Sequence, residues 1–191
     1  LAEPEPIGPG PAGDRARPFT GSNRIRWTAL GVGLVLMALI ALLAFGDDDR
    51  LSPQNELLGA RVPDVSGPTL TGGRYDIDNA RGRWVVVNFF ATWCAGCINE
   101  HPELVAFDQW GRETGQAEVV AVVFNDSTEQ VQAFFDANGG SWPVLDNPAL
   151  PLEFHVSQIP ETLLVAPSGL VVQHIEGEVS ADALIASIEQ A

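Results

Sequence analysis

Hydrophobic and polar positions divide the chain into four stretches. Residues 1–26 show no helical or strand period and are rich in Pro, Gly and polar groups, which predicts a disordered tail. Residues 27–45, WTALGVGLVLMALIALLAF, carry no charge. As a helix they extend about 28 Å, close to the thickness of a hydrocarbon core. A transmembrane helix is the expectation; a cleaved signal peptide and a buried helix of a soluble domain are its rivals. Residues 46–59 are short, polar and acidic at their start, a linker. From residue 60 onward the period changes repeatedly, as in a folded domain. Short alternating runs broken by Gly67-Pro68 and Gly72-Gly73 between Val62 and Asn79 predict an N-terminal hairpin. Trp84–Phe90 (WVVVNFF) and Val119–Phe124 are near-continuous apolar runs, as expected of strands covered on both faces.

Between these strands, Leu104, Phe107 and Trp110 recur at helical steps in a helix predicted from Cys94 to about Glu113, with Pro102 inside it, where proline kinks a helix. Ser127-Thr128-Glu129-Gln130 reads as a capping box before Val131, Phe134 and Phe135, with Gly139-Gly140 as the stop. Trp142–Leu145 reads as a short strand. Thr162–Ala166 and Leu170–Ile175 flank Pro167-Ser168-Gly169, a hairpin signal, and Ser180 caps a last helix bearing Ala181, Leu184, Ile185 and Ile188. The order β-α-β-α-β-β-α predicts an α/β domain over residues 60–191, with helices on both faces of a mixed sheet.

Charge assigns sides. The formal net charge is −15, and every cationic residue is Arg. A protein that tracks phosphates would be basic, so nucleic acid is excluded as a partner. Arg15, Arg17, Arg24 and Arg26 precede the apolar stretch, whereas Arg50 alone follows it closely, behind Asp47, Asp48 and Asp49. This asymmetry places the N-terminus in the cytoplasm and the domain outside.

The chain has two cysteines, Cys94 and Cys97, at a predicted strand–turn–helix junction. That context predicts a redox dithiol. Unpaired N–H groups and the dipole at a helix N-terminus favour a thiolate at Cys94, and Cys97 lies on the same helical face, so a small ring can close and reopen. Cys94 is then the attacking sulfur and Cys97 the resolving one. A structural disulfide constrains too little chain at this spacing to be a useful staple. A metal site lacks further paired ligands, and haem attachment requires His where Ile98 stands. No cofactor or metal is expected.

Val87-Asn88-Phe89-Phe90-Ala91-Thr92-Trp93-Cys94-Ala95-Gly96-Cys97, followed by Glu100 and Pro102, resembles the membrane-anchored thioredoxin-like proteins of the TlpA/ResA/CcmG (DsbE) group. Arg61-Val62-Pro63-Asp64, Ile159-Pro160-Glu161-Thr162 and Val165-Ala166-Pro167-Ser168-Gly169 extend the likeness over about residues 60–191. The resemblance implies a thioredoxin fold and extracytoplasmic exchange with protein thiols and disulfides. It further implies a reductase role in cytochrome c maturation, with apocytochrome c or its maturation factors as substrates and a membrane transporter of the CcdA/DsbD type as electron donor. It makes Pro160 a cis-proline facing the dithiol, leaving the backbone of Ile159 free for a substrate strand, and Trp93 a substrate-side residue.

Asn88 stands where ordinary thioredoxins have a buried Asp, and Asn cannot take up a proton. Glu100, three residues after Cys97, is the expected proton handler for that thiol. The interior of the CxxC is Ala-Gly, without the proline common in reducing relatives, which leaves the direction of electron flow open. An oxidant that forms disulfides in secreted proteins is one alternative. A copper metallochaperone using both cysteines and His155 is another. A thiol peroxidase needs Thr or Ser where Ala91 stands.

Overall fold

The computed structural model describes residues 23–44 and 57–191, and they form two units. Most of the expected tail (residues 1–22) and most of the expected linker (45–56) lie outside the described residues. In the first unit a single helix, α1, spans Asn23–Ala44, so helix begins within the stretch expected to be a tail. Side chains are described for residues 27–41 of α1, and all of them are exposed, Trp27, Leu34, Val35 and Met37 among them. Among the described residues no helix is long and apolar enough to cross a membrane; residues 27–41 cover about 22 Å of helix.

The second unit begins before residue 60. Leu57 is buried and Leu58 bridges to Val171, so the end of the expected linker is part of the domain. A two-stranded antiparallel hairpin follows, β1 (Ser66–Pro68) with β2 (Arg74–Asp76), then a 3-10 turn at Ile77–Ala80. The main chain of the domain continues as β3 (Trp84–Phe90), α2 (Ala95–Thr114), β4 (Ala117–Val123), α3 (Thr128–Asn138), β5 (Val144–Leu145), α4 (Leu150–Glu153), β6 (Glu161–Val165), β7 (Val171–Glu176) and α5 (Ala181–Glu189). The five-stranded sheet has the order β5-β4-β3-β6-β7. β3 is central, parallel to β4 (Asn88 opposite Ala121) and antiparallel to β6 (Asn88 opposite Thr162).

Alternation along β3 sorts the core into two layers. Val86 and Phe90 point towards Leu104 and Phe107 of α2, Val131 and Phe135 of α3, and Leu184 and Ile188 of α5. Val85, Val87 and Phe89 point the other way, onto Tyr75, Ile77 and Leu150 with Phe154. Helices therefore lie on both faces, as expected, but unequally. Three long helices share one face, and the N-terminal hairpin, the 3-10 turn and the single turn of α4 cover the other. Packing decides this, because a short amphipathic hairpin covers a flat sheet face as well as a helix does.

The predicted caps form. Ser127 Oγ accepts from Gln130 N and Ser180 Oγ from Ala183 N, each closing an otherwise unpaired N–H. The reciprocal half of the capping box goes to another residue: Asp126 Oδ1, not the Gln130 side chain, accepts from Ser127 N. α2 continues through Pro102 and ends at Gly115 in the left-handed region. His101 on α2 is enclosed by Phe134, Phe135 and Trp142, and burial holds its imidazole below the ordinary histidine range.

Candidate active site

The two cysteines come together where β3 hands over to α2. Cys94 is the N-cap of α2, and its sulfur accepts from Cys97 N at 3.1 Å. Cys94 and Cys97 are joined as a disulfide, with Cα atoms 5.2 Å apart. Cys94 is 6% exposed and Cys97 0%, so of the two residues only the first has any opening to solvent. The helix end beneath Cys94 supplies the unpaired N–H groups that stabilise a thiolate once the bond is reduced.

Glu100 lies one turn further along α2 and is 1% exposed. Its Oε1 accepts from Asn88 Nδ2 at 2.7 Å and its Oε2 from Val179 N at 3.0 Å. Asn88 Nδ2 also donates to Thr162 Oγ1 at 3.0 Å, which ties β3, β6 and α2 into one buried network. Burial pushes the Glu100 carboxyl up to about 7, although both hydrogen bonds favour the charged form and the Glu178 carboxylate adds a smaller upward push. A buried carboxyl that titrates near neutrality beside a buried thiol is suited to proton transfer. Asn88, which cannot relay a proton itself, serves instead as a hydrogen-bond donor to this carboxylate.

Pro160 closes the other side. The Ile159–Pro160 bond is cis, and the ring packs close to Gly96. Among the described residues, neither the N–H nor the carbonyl of Ile159 has a backbone partner. Behind Pro160, Glu161 is fully buried with Oε1 2.5 Å from His174 Nε2, a pairing that nothing in the local sequence predicts.

Trp93 is 59% exposed and flanks Cys94, with Nε1 donating to Asn125 O and its ring near Phe124. It borders a cavity of about 980 Å³ lined also by Asp126, Asp146, Pro148, Leu152 and Val156. Asp126 accepts from both Thr92 N and Thr92 Oγ1, anchoring the turn that precedes Trp93. Burial pushes the Asp126 carboxyl up, but the Thr92 and Ser127 hydrogen bonds outweigh it and hold the group below its usual range. Ala91, three residues before Cys94, is buried and offers no hydroxyl.

Four contributors are not predicted by the sequence: Thr162, Asp126, Asn99 and Glu178. Asn99 Nδ2 donates to Glu178 Oε1 at 3.2 Å, and Glu178 lies in the loop before α5. The Pro-Glu-Thr run does contain Thr162. For the other three only the fold supplies proximity. His155 is exposed after α4, and no cluster of three His, Cys, Asp or Glu suited to a metal occurs among the described residues.

The chain is similar to known proteins. The model of the AhpC/TSA family matches residues 58–174. The chain is 33% identical over 118 residues to the thioredoxin-like protein YneN of Bacillus subtilis, covering 59% of this chain and 68% of that protein. It is 29% identical over 147 residues to the thiol-disulfide oxidoreductase ResA of the same organism, covering 75% of this chain and 82% of that protein. A thiol:disulfide interchange protein of the thioredoxin family from Chlorobium tepidum superposes with a TM-score of 0.64 at 24% identity, over 70% of this chain and 96% of that one, a likeness of fold.

Proposed function

The chain belongs to the AhpC/TSA family and is a thiol–disulfide oxidoreductase of thioredoxin fold; we propose that it acts as a membrane-anchored reductase of protein disulfides outside the cytoplasm, in cytochrome c maturation. The observation that carries the exchange chemistry is the unequal exposure of two bonded cysteines at the start of α2, with Glu100 buried behind them.

In the reduced protein the Cys94 thiolate attacks one sulfur of a substrate disulfide. A bond forms between Cys94 and that sulfur, and the other substrate sulfur leaves as a thiolate. Cys97 then gives its proton to Glu100 and attacks Cys94 Sγ. The Cys94–Cys97 bond forms, the second substrate thiolate leaves, and two electrons have passed to the substrate. A substrate strand pairs with the free backbone of Ile159 beside Pro160, and Trp93 bounds it on the other side. Apocytochrome c or its maturation factors are the proposed substrates.

Re-reduction outside the cytoplasm requires a supply of electrons, for which a membrane transporter of the CcdA/DsbD type is the proposed donor. The anchor is assigned to residues 27–45. Its support is the uncharged sequence, its helical backbone up to Ala44, the exposed apolar side chains of residues 27–41 and the arginines on its N-terminal side. The reduction potential of the full chain in detergent, equilibrated against glutathione or dithiothreitol, tests the direction. A value near or below about −230 mV supports a reductase, and one between about −180 and −120 mV overturns it in favour of an oxidant.

A further inference from the structure

Glu178 faces the dithiol turn from the loop before α5, and the exchange steps above make no use of it. Gly96, inside the CxxC, marks how close it comes: a Cβ on Gly96 would lie 3.0 Å from Pro160 Cδ and 3.4 Å from Glu178 Oε1. A side chain at position 96 would press on the Pro160 ring and touch the carboxylate. Asn99 Nδ2, one turn into α2, holds the same oxygen.

The surrounding charges single out Glu178. On α2, Glu100 is pushed up to about 7 and is only partly charged near neutral pH. On the loop after β4, Asp126 is tied down by hydrogen bonds from Thr92 and Ser127. On β6, Glu161 is buried against His174 of β7. Glu178 has a neutral partner in Asn99 and no ion pair among the described residues. The arginines of the domain sit towards the opposite end of the sheet. Arg81 and Arg83 precede β3, Arg112 is in the last turn of α2, and Arg61 bridges to Leu170 before β7. Arg74 shares a cavity with Arg83 and Arg112. A negative charge at the positive end of a helix competes with a thiolate for the same stabilisation.

We propose that Glu178 is a positioning residue of the exchange reaction: its carboxylate, held by Asn99 over Gly96, opposes ionisation of Cys94 and biases the couple towards donating electrons. This rests on Cys94 being the attacking sulfur. Removing the charge favours the thiolate, stabilises the reduced form and makes the couple more oxidising. Because Glu178 is exposed, water screens the effect, and a change of about threefold is expected.

The test uses the full chain in detergent. In a Cys97→Ser background, the Cys94 thiolate is titrated by absorbance at about 240 nm with and without Glu178→Gln. The expected result is about threefold more thiolate in the Gln variant at pH well below both midpoints, a difference that shrinks in about 1 M salt. Glu178→Asp, which keeps the charge, titrates with the parent. With both cysteines present, and at a pH where the thiolate is populated, Glu178→Gln shifts the glutathione equilibrium about threefold towards the dithiol, about 14 mV at about 29.6 mV per tenfold. Superimposable titrations of the Gln variant and parent overturn the proposal, as does an equal shift from Asp. If instead Cys94→Ser captures a peptide disulfide and Cys97→Ser does not, the assignment of the attacking sulfur fails. The titration of Cys94 still decides what Glu178 does.

Discussion

Replacing Glu100 with Gln removes the one buried carboxyl that titrates near neutral pH beside the dithiol, and the consequence for stability follows from the site. In an unfolded chain the carboxyl titrates at 4.5; in the fold it titrates at about 7. Between those values the folded protein holds a proton that the unfolded chain has released. Stability from this group is therefore complete below pH 4.5 and is lost as pH rises through about 7. A carboxyl moved from 4.5 to about 7 is worth about 3 kcal/mol, at about 1.4 kcal/mol per pH unit. Gln cannot ionise, so it lacks this dependence. It also places an NH2 against one of two donors, Asn88 Nδ2 or Val179 N, which now meet oxygens at 2.7 and 3.0 Å. That conflict costs about 1–3 kcal/mol at every pH. The variant is expected to be less stable than the parent at about pH 4.5 and to draw level with it, or pass it, by about pH 8.

Urea unfolding of the oxidised protein, followed by tryptophan fluorescence at intervals from about pH 4.5 to 8, measures this directly. His101 and Asp108 titrate in both proteins and cancel in the difference. The difference curve should change by about 3 kcal/mol, steepest near about pH 6. A difference that stays flat across that range refutes the raised carboxyl and removes the basis for Glu100 as the proton acceptor of Cys97.

Two further outcomes follow from the geometry. Cys97→Ser should accumulate a stable mixed disulfide between Cys94 and a peptide substrate, visible by mass spectrometry, whereas Cys94→Ser should form none; trapping by both variants alike would contradict the unequal exposure of the cysteines. Gly111→Ala should destabilise the domain by about 2–3 kcal/mol in urea, because its Cβ would stand 2.5 Å from the carbonyl oxygen of Ala117, at the beginning of β4, and backbone cannot step aside cheaply. A loss below about 0.5 kcal/mol would mean that α2 moves off β4 freely.

What the sequence disclosed depended on how far apart the interacting residues stand. β3 was legible in full, because burial on both faces requires a near-continuous apolar run, broken from Trp84 to Phe90 only by Asn88. Ser127 and Ser180 were legible as caps, because each closes an N–H three residues away. The dithiol was legible for the same reason: a sulfur at a helix N-cap and its partner three residues later are local geometry. α4 was missed because a single turn of LPLE has too few residues to show a period.

How the helices divide between the two faces was not legible, because a strand records that both faces are covered but not by what. The same limit governs the site. Glu100 was found from its spacing to Cys97, but its titration is set first by burial, and then, in the opposite sense, by hydrogen bonds from Asn88, twelve residues away, and Val179, seventy-nine residues away. Glu178 reaches Asn99 across the same span, from a loop whose own sequence, Glu176-Gly177-Glu178, looks like any solvated turn. Gly96 was legible as a departure from the proline of reducing relatives, and read alone it weakened the case for a reductase. The fold supplies a physical reason for a small residue there: a Cβ at position 96 would stand 3.0 Å from Pro160 Cδ and 3.4 Å from Glu178 Oε1. The chemistry of the turn is written in Cys94 and Cys97, and its tuning is written in residues that only the closing of the sheet brings near.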